Sequence, residues 1–308
     1  MRIIIPGTVS LTSSTVTGST YDEWVVGTSY DTGDKVKVSF EDDGITAKFP
    51  VVEYECLADA TVGKYPEDYP DKWSEIGAEN RCKMFDDYTN TQTEDTVDIT
   101  VVVDANGFNC VGLFNLYGTL VTLSLKRGGS TISTKTFDLR TLIPESGWYA
   151  WLFTAFEYGI TQVLWDFTRY ATGATLEATI TTRSSEAKCG MLVLGNEREL
   201  GLTQYNPRIG ITDYSIKSED SLGRTYLSQG NYAKRADIEV AIENTNLDFV
   251  TQQLTSVRGI PAIYDFNGST YVTTAYECAA IYGYLSIWDV IVPGPKVSRC
   301  NMEIKGLI

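Results

Sequence analysis

The chain has no histidine. Ser-His-Asp and Cys-His catalysis, His-ligated zinc and imidazole proton shuttling are therefore excluded, and acid-base work would fall to carboxylates, as in a glycosidase pair. Basic residues are scarce as well, with 25 Lys and Arg against 40 Asp and Glu, a formal charge of -15. Such a surface repels phosphates and anionic lipid, so neither nucleic acid nor a membrane is an expected partner. No apolar run approaches bilayer-spanning length, and Met1-Arg2-Ile3-Ile4-Ile5-Pro6 is too short for a secretory signal. Synthesis in the cytoplasm is the expectation. The six cysteines, Cys56, Cys82, Cys110, Cys189, Cys278 and Cys300, include no Cys-x-x-Cys pair, which removes zinc knuckles and thioredoxin-type sites. Their surroundings are apolar and strand-like, so buried reduced thiols are expected.

What is present is the composition of a folded chain, 43% hydrophobic with 19 Tyr and 6 Trp. A length of 308 residues implies two or three domains. The sequence changes character across residues 77–88, Gly-Ala-Glu-Asn-Arg-Cys-Lys-Met-Phe-Asp-Asp-Tyr. This stretch predicts a hinge, a linker strand with two acidic turn residues, half buried through Cys82, Met84 and Phe85. Residues 3–17 alternate small apolar and hydroxyl side chains, the pattern of an edge strand or an exchanged arm. The resulting division is 1–78, 79–200 and 201–308, and the class is mainly β.

In the first region Trp24, Gly27, Tyr30, Gly33-Asp34, Val36, Val38, Tyr54, Cys56 and Trp73 fall in the order W-x2-G-x2-Y-x2-G-D-x-V, then Y-x-C and a closing W. That order resembles the small chitin-binding modules of bacterial chitinases and phage virion proteins. The resemblance covers residues 21–77 and implies an aromatic-rich β unit in which Trp24, Tyr30 and Trp73 stack on a sugar ring of a host-surface glycan. The same rings also suit the interior of a unit too small for an aliphatic core. Trp73 follows a Pro-bracketed loop, 65–70, and is expected at the rim, with Trp24 inside. That loop is longer and more acidic here than the resemblance implies.

In the second region 97–103, 111–116, 121–125, 131–139, 163–169 and 174–182 read as strands, with turns at Ala105-Asn106-Gly107 and Arg127-Gly128-Gly129-Ser130. Many short strands with regular turns argue a β-sandwich. Asn80-Arg81, Phe85-Asp86, Thr91-Gln92-Thr93, Val111-Gly112-Leu113-Phe114 and Val121-Thr122-Leu123 resemble the galactose-binding-like jelly rolls. By that resemblance Asp86, Asp87 and Thr91 give oxygens to a calcium ion, a hard cation wanting six or more. An ordinary turn is the alternative reading, because no dense carboxylate cluster surrounds them. No other cofactor is expected.

The third region combines a strand at 236–242, a helix at 247–257 capped by Asn246 and stopped by Gly259, and strands at 262–265, 271–274, 280–292 and 299–305. Leu247, Val250, Leu254 and Val257 share one helix face, and one helix among paired strands is an α+β layer. Asp213, Lys217, Asp220, Arg224, Lys234 and Arg235 form the densest mixed-charge patch, expected as an inter-subunit surface.

Gly201-Leu202, Gly210-Ile211-Thr212-Asp213-Tyr214-Ser215, Lys217, Asp220, Gly223, Tyr232-Ala233-Lys234-Arg235, Leu254, Arg258-Gly259-Ile260-Pro261-Ala262 and Glu303-Ile304-Lys305-Gly306-Leu307 resemble the C-terminal part of tailed-phage virion proteins. The resemblance implies a non-enzymatic component of a tail or tail tip, located in the virion after assembly in the host cytoplasm. Its partners would be other virion proteins and further copies of itself. The rival expectation is a polysaccharide-acting enzyme or its carbohydrate-binding accessory.

Overall fold

In Ala174–Thr181 burial alternates strictly, with Ala174, Leu176, Ala178 and Ile180 turned inward, the period-2 signature of a strand with one wet face. Ile99–Asp104 and Leu120–Arg127 repeat the pattern. These three are the centre of a five-stranded antiparallel sheet whose edges are Ser130–Asp138 and Leu11–Ser14. The hairpin between Leu120–Arg127 and Ser130–Asp138 turns on Gly128 and Gly129, both at positive φ. The computed structural model describes residues 1–86, 88–141, 157–205, 207–220, 223–266 and 277–307. The strand expected at 271–274 lies outside them.

The inward face of this sheet packs on Val111, Leu113, Cys189, Leu192 and Leu194 of a second, larger sheet, which makes the expected β-sandwich. The larger sheet is curled and runs through Val163–Asp166, Cys110–Tyr117, Ala187–Glu199, Arg2–Pro6, Ala262–Asp265, Ala280–Ile291, Val297–Gly306, Tyr232–Glu243 and Leu202–Thr203. Ala187–Glu199 is buried on both faces, because Met191 and Val193 point away from the sandwich toward Ile4, Phe114 and Ile263. Gly195 lies where this strand crosses Arg2–Pro6, and a Cβ there would sit 2.6 Å from both Ile4 Cγ2 and Ile5 O.

The helix Leu247–Ser256 covers the other half of the larger sheet, with Val250, Leu254 and Val257 against Ile3, Tyr264, Val240 and Ile304. Gly259, at φ 73, ends the turn that follows it. Asn246 makes no side-chain cap bond. It closes a short 3-10 turn, Asn244–Asn246, that leads into the helix.

Two sequence expectations are corrected. Within residues 3–17, Leu11–Ser14 is the edge strand expected, but Arg2–Pro6 is neither an edge nor an exchanged arm, since it pairs with Ala187–Glu199 on one side and Ala262–Asp265 on the other. Ile3 and Ile4 are both buried, on opposite faces, and only an interior strand satisfies two adjacent apolar side chains in that way. The chain's start therefore stitches 79–200 to 201–308, and one sheet runs through both. Residues 77–88 hold a 3-10 helix, Asn80–Phe85, where a linker strand was expected. Glu79 O accepts from both Cys82 N and Lys83 N, at 2.8 and 3.1 Å, which winds the chain, while Glu79 N–H reaches Val51 O at 2.9 Å. Cys82 and Met84 are fully buried by that turn.

Residues 21–79 form their own unit, a four-stranded sheet of Asp22–Glu23, Lys35–Phe40, Ala47–Cys56 and Trp73–Ala78 beside the pair Ser29–Tyr30 and Thr61–Val62. Its core is Tyr30, Val36, Val38, Tyr54, Cys56, Tyr65 and Trp73.

Candidate functional site

The three aromatics expected to meet sugar are placed by that core. Trp73 is 2% exposed, lies edge-on to Tyr30 with ring centroids 5.3 Å apart, and donates its Nε1–H to Lys64 O at 3.0 Å. The rim position expected for it is corrected. The loop after Lys64 folds back so that Tyr65 and Tyr69 close over the core, and Tyr65 hydroxyl donates to Phe40 O at 2.8 Å. Tyr30 is also interior, its hydroxyl accepting from Val25 N–H at 2.9 Å. Trp24, half buried, is the one placed nearer the surface, edge-on to Tyr65 at 5.3 Å.

At the expected calcium turn, Thr91 Oγ1 donates to Asp86 Oδ2 at 2.7 Å and Tyr88 N–H donates to Asp86 Oδ1 at 2.9 Å. Asp87 lies outside the described residues. The described part of the turn supplies one carboxylate and one hydroxyl, already bonded to each other, short of the oxygens a calcium ion takes. Among the described residues no group of three or more metal-ligating side chains converges.

The six charged residues of the third region divide between two places. Asp213 pairs with Lys217 at 3.1 Å and Asp220 with Arg224 at 3.9 Å. Hydrogen bonds from Ser215, with Lys217 beside it, hold the Asp213 carboxyl down at about 2. Arg235 reaches Asp237 at 3.1 Å and Glu303 at 3.5 Å on the sheet itself. Lys234 donates to Gln162 Oε1 at 2.9 Å. That contact lines a cleft of about 340 Å³ where the tilted rings of Phe114 and Tyr282 meet the amides of Asn90, Asn115 and Asn231.

The first four of those charges lie on a projecting arm. After Leu200 the chain runs along the outer edge of Tyr232–Glu243, first as Leu202–Thr203 and then as Arg208–Asp213. It next forms the hairpin Ile216–Glu219 with Thr225–Ser228 and returns. Every residue of the two hairpin strands is exposed. Ile216 is 67% and Leu227 72% exposed, and Ile209, Ile211, Tyr214 and Tyr226 join them. The base of the arm is tied by Tyr214 N–H to Asn231 O and Gly230 N–H to Ser215 Oγ, both at 3.0 Å. Gly230 is required there, because a Cβ would sit 2.7 Å from Tyr214 O. An isolated two-stranded hairpin is marginal in water, and contiguous exposed apolar side chains mark interaction surfaces. Among the described residues the outer edge of Arg208–Asp213 pairs with no strand, which leaves an open template for a further chain.

The charges of 201–235 were visible in the sequence, and its β-branched residues read as strand. Nothing in the local pattern separates a strand that is covered from one that projects. Elsewhere, among the described residues, Arg2 has three ion-pair partners, more than any other charge. Its Nε donates to Asp265 at 2.7 Å and its Nη1 to Asp166 at 2.5 Å and Glu197 at 3.1 Å. Burial works against its charge, but the hydrogen bonds to Asp166 and Asp265 outweigh it and raise its pKa. These bonds, from Nε and Nη1, clamp four strands of the larger sheet.

No protein-family model, curated protein or solved structure matches this chain.

Proposed function

We propose that this chain is a structural component of a bacteriophage tail or tail tip that joins neighbouring virion subunits through the arm at 202–232. The phage context rests on the sequence resemblance of 201–308. The observation that carries the assembly role is the arm's run of exposed Ile, Leu and Tyr on strands anchored to an open sheet edge. Covering one such side chain is worth about 1.5–3 kcal/mol, so six supply on the order of 10 kcal/mol. Association costs roughly 4–15 kcal/mol. The exposed apolar side chains therefore do not suffice by themselves for a contact of ordinary strength, and pairing at the open sheet edge or between charges must add to them. Imaging of purified particles with the chain labelled tests the reading. Density at the tail supports it, and particles free of the chain overturn it.

Contact with a host-surface glycan belongs to the same proposal at a different place from the one the aromatics suggested. The cleft beside Lys234 offers amide donors and acceptors next to an aromatic pair, the groups that read sugar hydroxyls and C–H faces. Retention of the protein on immobilised host polysaccharide, lost on Tyr282→Ala, would support this part, and equal retention of the variant would remove it.

A further inference from the structure

The cleft beside Lys234, about 340 Å³, falls within the size range of small-molecule sites, roughly 300–1,000 Å³. Its wall is drawn from separate parts of the chain, which long-range hydrogen bonds lock together. Thr89 hydroxyl donates to Leu307 O at 3.1 Å, Asn115 Nδ2–H to Thr89 O at 2.9 Å, and Gln92 Nε2–H to Asn115 O at 2.9 Å. Buried Gln162 donates its Nε2–H to Ala280 O at 3.0 Å, which leaves its carbonyl oxygen to accept from Lys234. Asn115 is held in the left-handed region at φ 53, a conformation sparsely populated outside glycine and concentrated at ligand sites. Gly190 permits this close approach, because a Cβ there would sit 2.6 Å from Asn115 Cβ and 2.8 Å from Thr89 O.

The chemistry of this wall departs from that of the chain. The protein carries a formal charge of -15, yet among the described residues lining the cleft there is no Asp or Glu, and Lys234 is the one Lys or Arg. Gln162, a neutral acceptor, positions the ammonium and cancels none of its charge. Asp213, opposite Tyr232 in the sheet register, is engaged by Lys217 and Ser215. The carboxamides of Asn90, Asn115 and Asn231 and the ring of Tyr282 share the wall with half-buried Lys234. An ammonium with carboxamide N–H groups near it suits a carboxylate, which brings one charge and two acceptor oxygens. A phosphate monoester brings close to two charges and calls for a second cation, which the described wall does not supply.

We infer that the cleft selects an acidic glycan, in which a sugar carboxylate meets Lys234 while the ring lies against Tyr282. This rests on the glycan contact proposed above and names the chemical class of the sugar. A charged hydrogen bond at a half-buried site gains about tenfold in affinity over its neutral counterpart. The cleft should therefore tell a uronic acid from the matching neutral hexose.

The test is calorimetric titration of the full chain with short glucuronate oligomers, and with the same oligomers after reduction of each carboxyl to the alcohol. The parent should bind the acidic form about tenfold tighter, and the preference should shrink as salt rises from about 50 to about 500 mM. Lys234→Gln should erase the preference, and Asn231→Asp, at an exposed position, should reverse it. Thermal melts that match the parent show that both variants fold. Should Lys234→Gln fail to fold, the parent's own discrimination and Asn231→Asp decide. Equal binding of the two oligomers, both lost on Tyr282→Ala, overturns the acidic class and leaves glycan contact standing. Inorganic phosphate that competes as strongly as the glucuronate oligomer overturns the selection of a sugar carboxylate. Binding of neither oligomer overturns the inference, while retention on immobilised host polysaccharide decides the glycan contact separately.

Discussion

Arg2 and Asp265 meet in the interior of the larger sheet across almost the whole chain, Arg2 Nε donating to Asp265 Oδ2 at 2.7 Å. Asp265 is buried and Arg2 mostly so. Leaving a buried charge with no partner costs about 3–5 kcal/mol, an upper bound here because Arg2 would keep Asp166 and Glu197. Asp265→Ala should lower the unfolding free energy, read from urea melts, by no more than that amount, and Asp166→Ala, whose carboxylate is nearly half exposed, should cost far less. Equal small effects for both would show that the pair is not what clamps Arg2–Pro6 in place.

Trp73→Ala removes the largest side chain from the core of the 21–79 unit. Large-to-small changes of this kind cost about 3–5 kcal/mol, and the cluster around Trp73 has only seven buried residues, itself included, to share the loss. Local unfolding of 21–79 should follow, read as loss of the tryptophan and tyrosine near-UV dichroism with the rest of the sheet retained. A variant that stays folded and merely loses glycan binding would return Trp73 to the rim.

Five of the six cysteines are buried and free, and Cys278 is exposed. Burial pushes the thiols of Cys82 and Cys300 up to about 11 and that of Cys189 to about 12, and raises Cys110 further. In native protein a thiol reagent near neutral pH should label Cys278 alone, and all six only after denaturation. Rapid native labelling of two or more would contradict the burial.

The same shifts set a pH dependence. Unfolded thiols ionise near about 8.5, while the folded ones hold their protons to about 11 or 12. Above about 8.5 the unfolded state binds fewer protons than the folded one, so stability contributed by these thiols is complete below that pH and falls as pH rises toward 11. Urea midpoints should decline over that window, and a Cys189→Ala variant should decline less steeply. Parallel curves would remove the thiols as the cause.

Much of the fold was legible in short-range pattern. The strands at 97–103, 121–125 and 174–182, and the helix face of Val250, Leu254 and Val257, depend on periodicity that any window of the sequence displays. Arg2–Pro6 was harder, because its alternation carries no record of its partners. Glu199 and Asp265 lie far along the chain, and only the global register selects them. Trp73 was misplaced for a related reason. Flanking prolines mark a surface loop, but the direction of the indole depends on Tyr65 and Tyr69 closing over it. The arm was legible in its charges and not in its exposure, since Ile216 and Leu227 have the side chains of core residues, yet among the described residues none covers them.

The most direct test of the account replaces the gene in its own genome with the Ile216→Ser, Leu227→Ser version. Purified particles are then analysed by mass spectrometry and cryo-electron microscopy. The parent chain should be found in the tail, and the variant, folded and soluble in the lysate, should be missing or depleted at least tenfold from particles whose tails are incomplete at that position. Full incorporation of the variant into normal tails, or absence of the parent chain from particles, would contradict the claim that this protein is a virion subunit assembled through its arm.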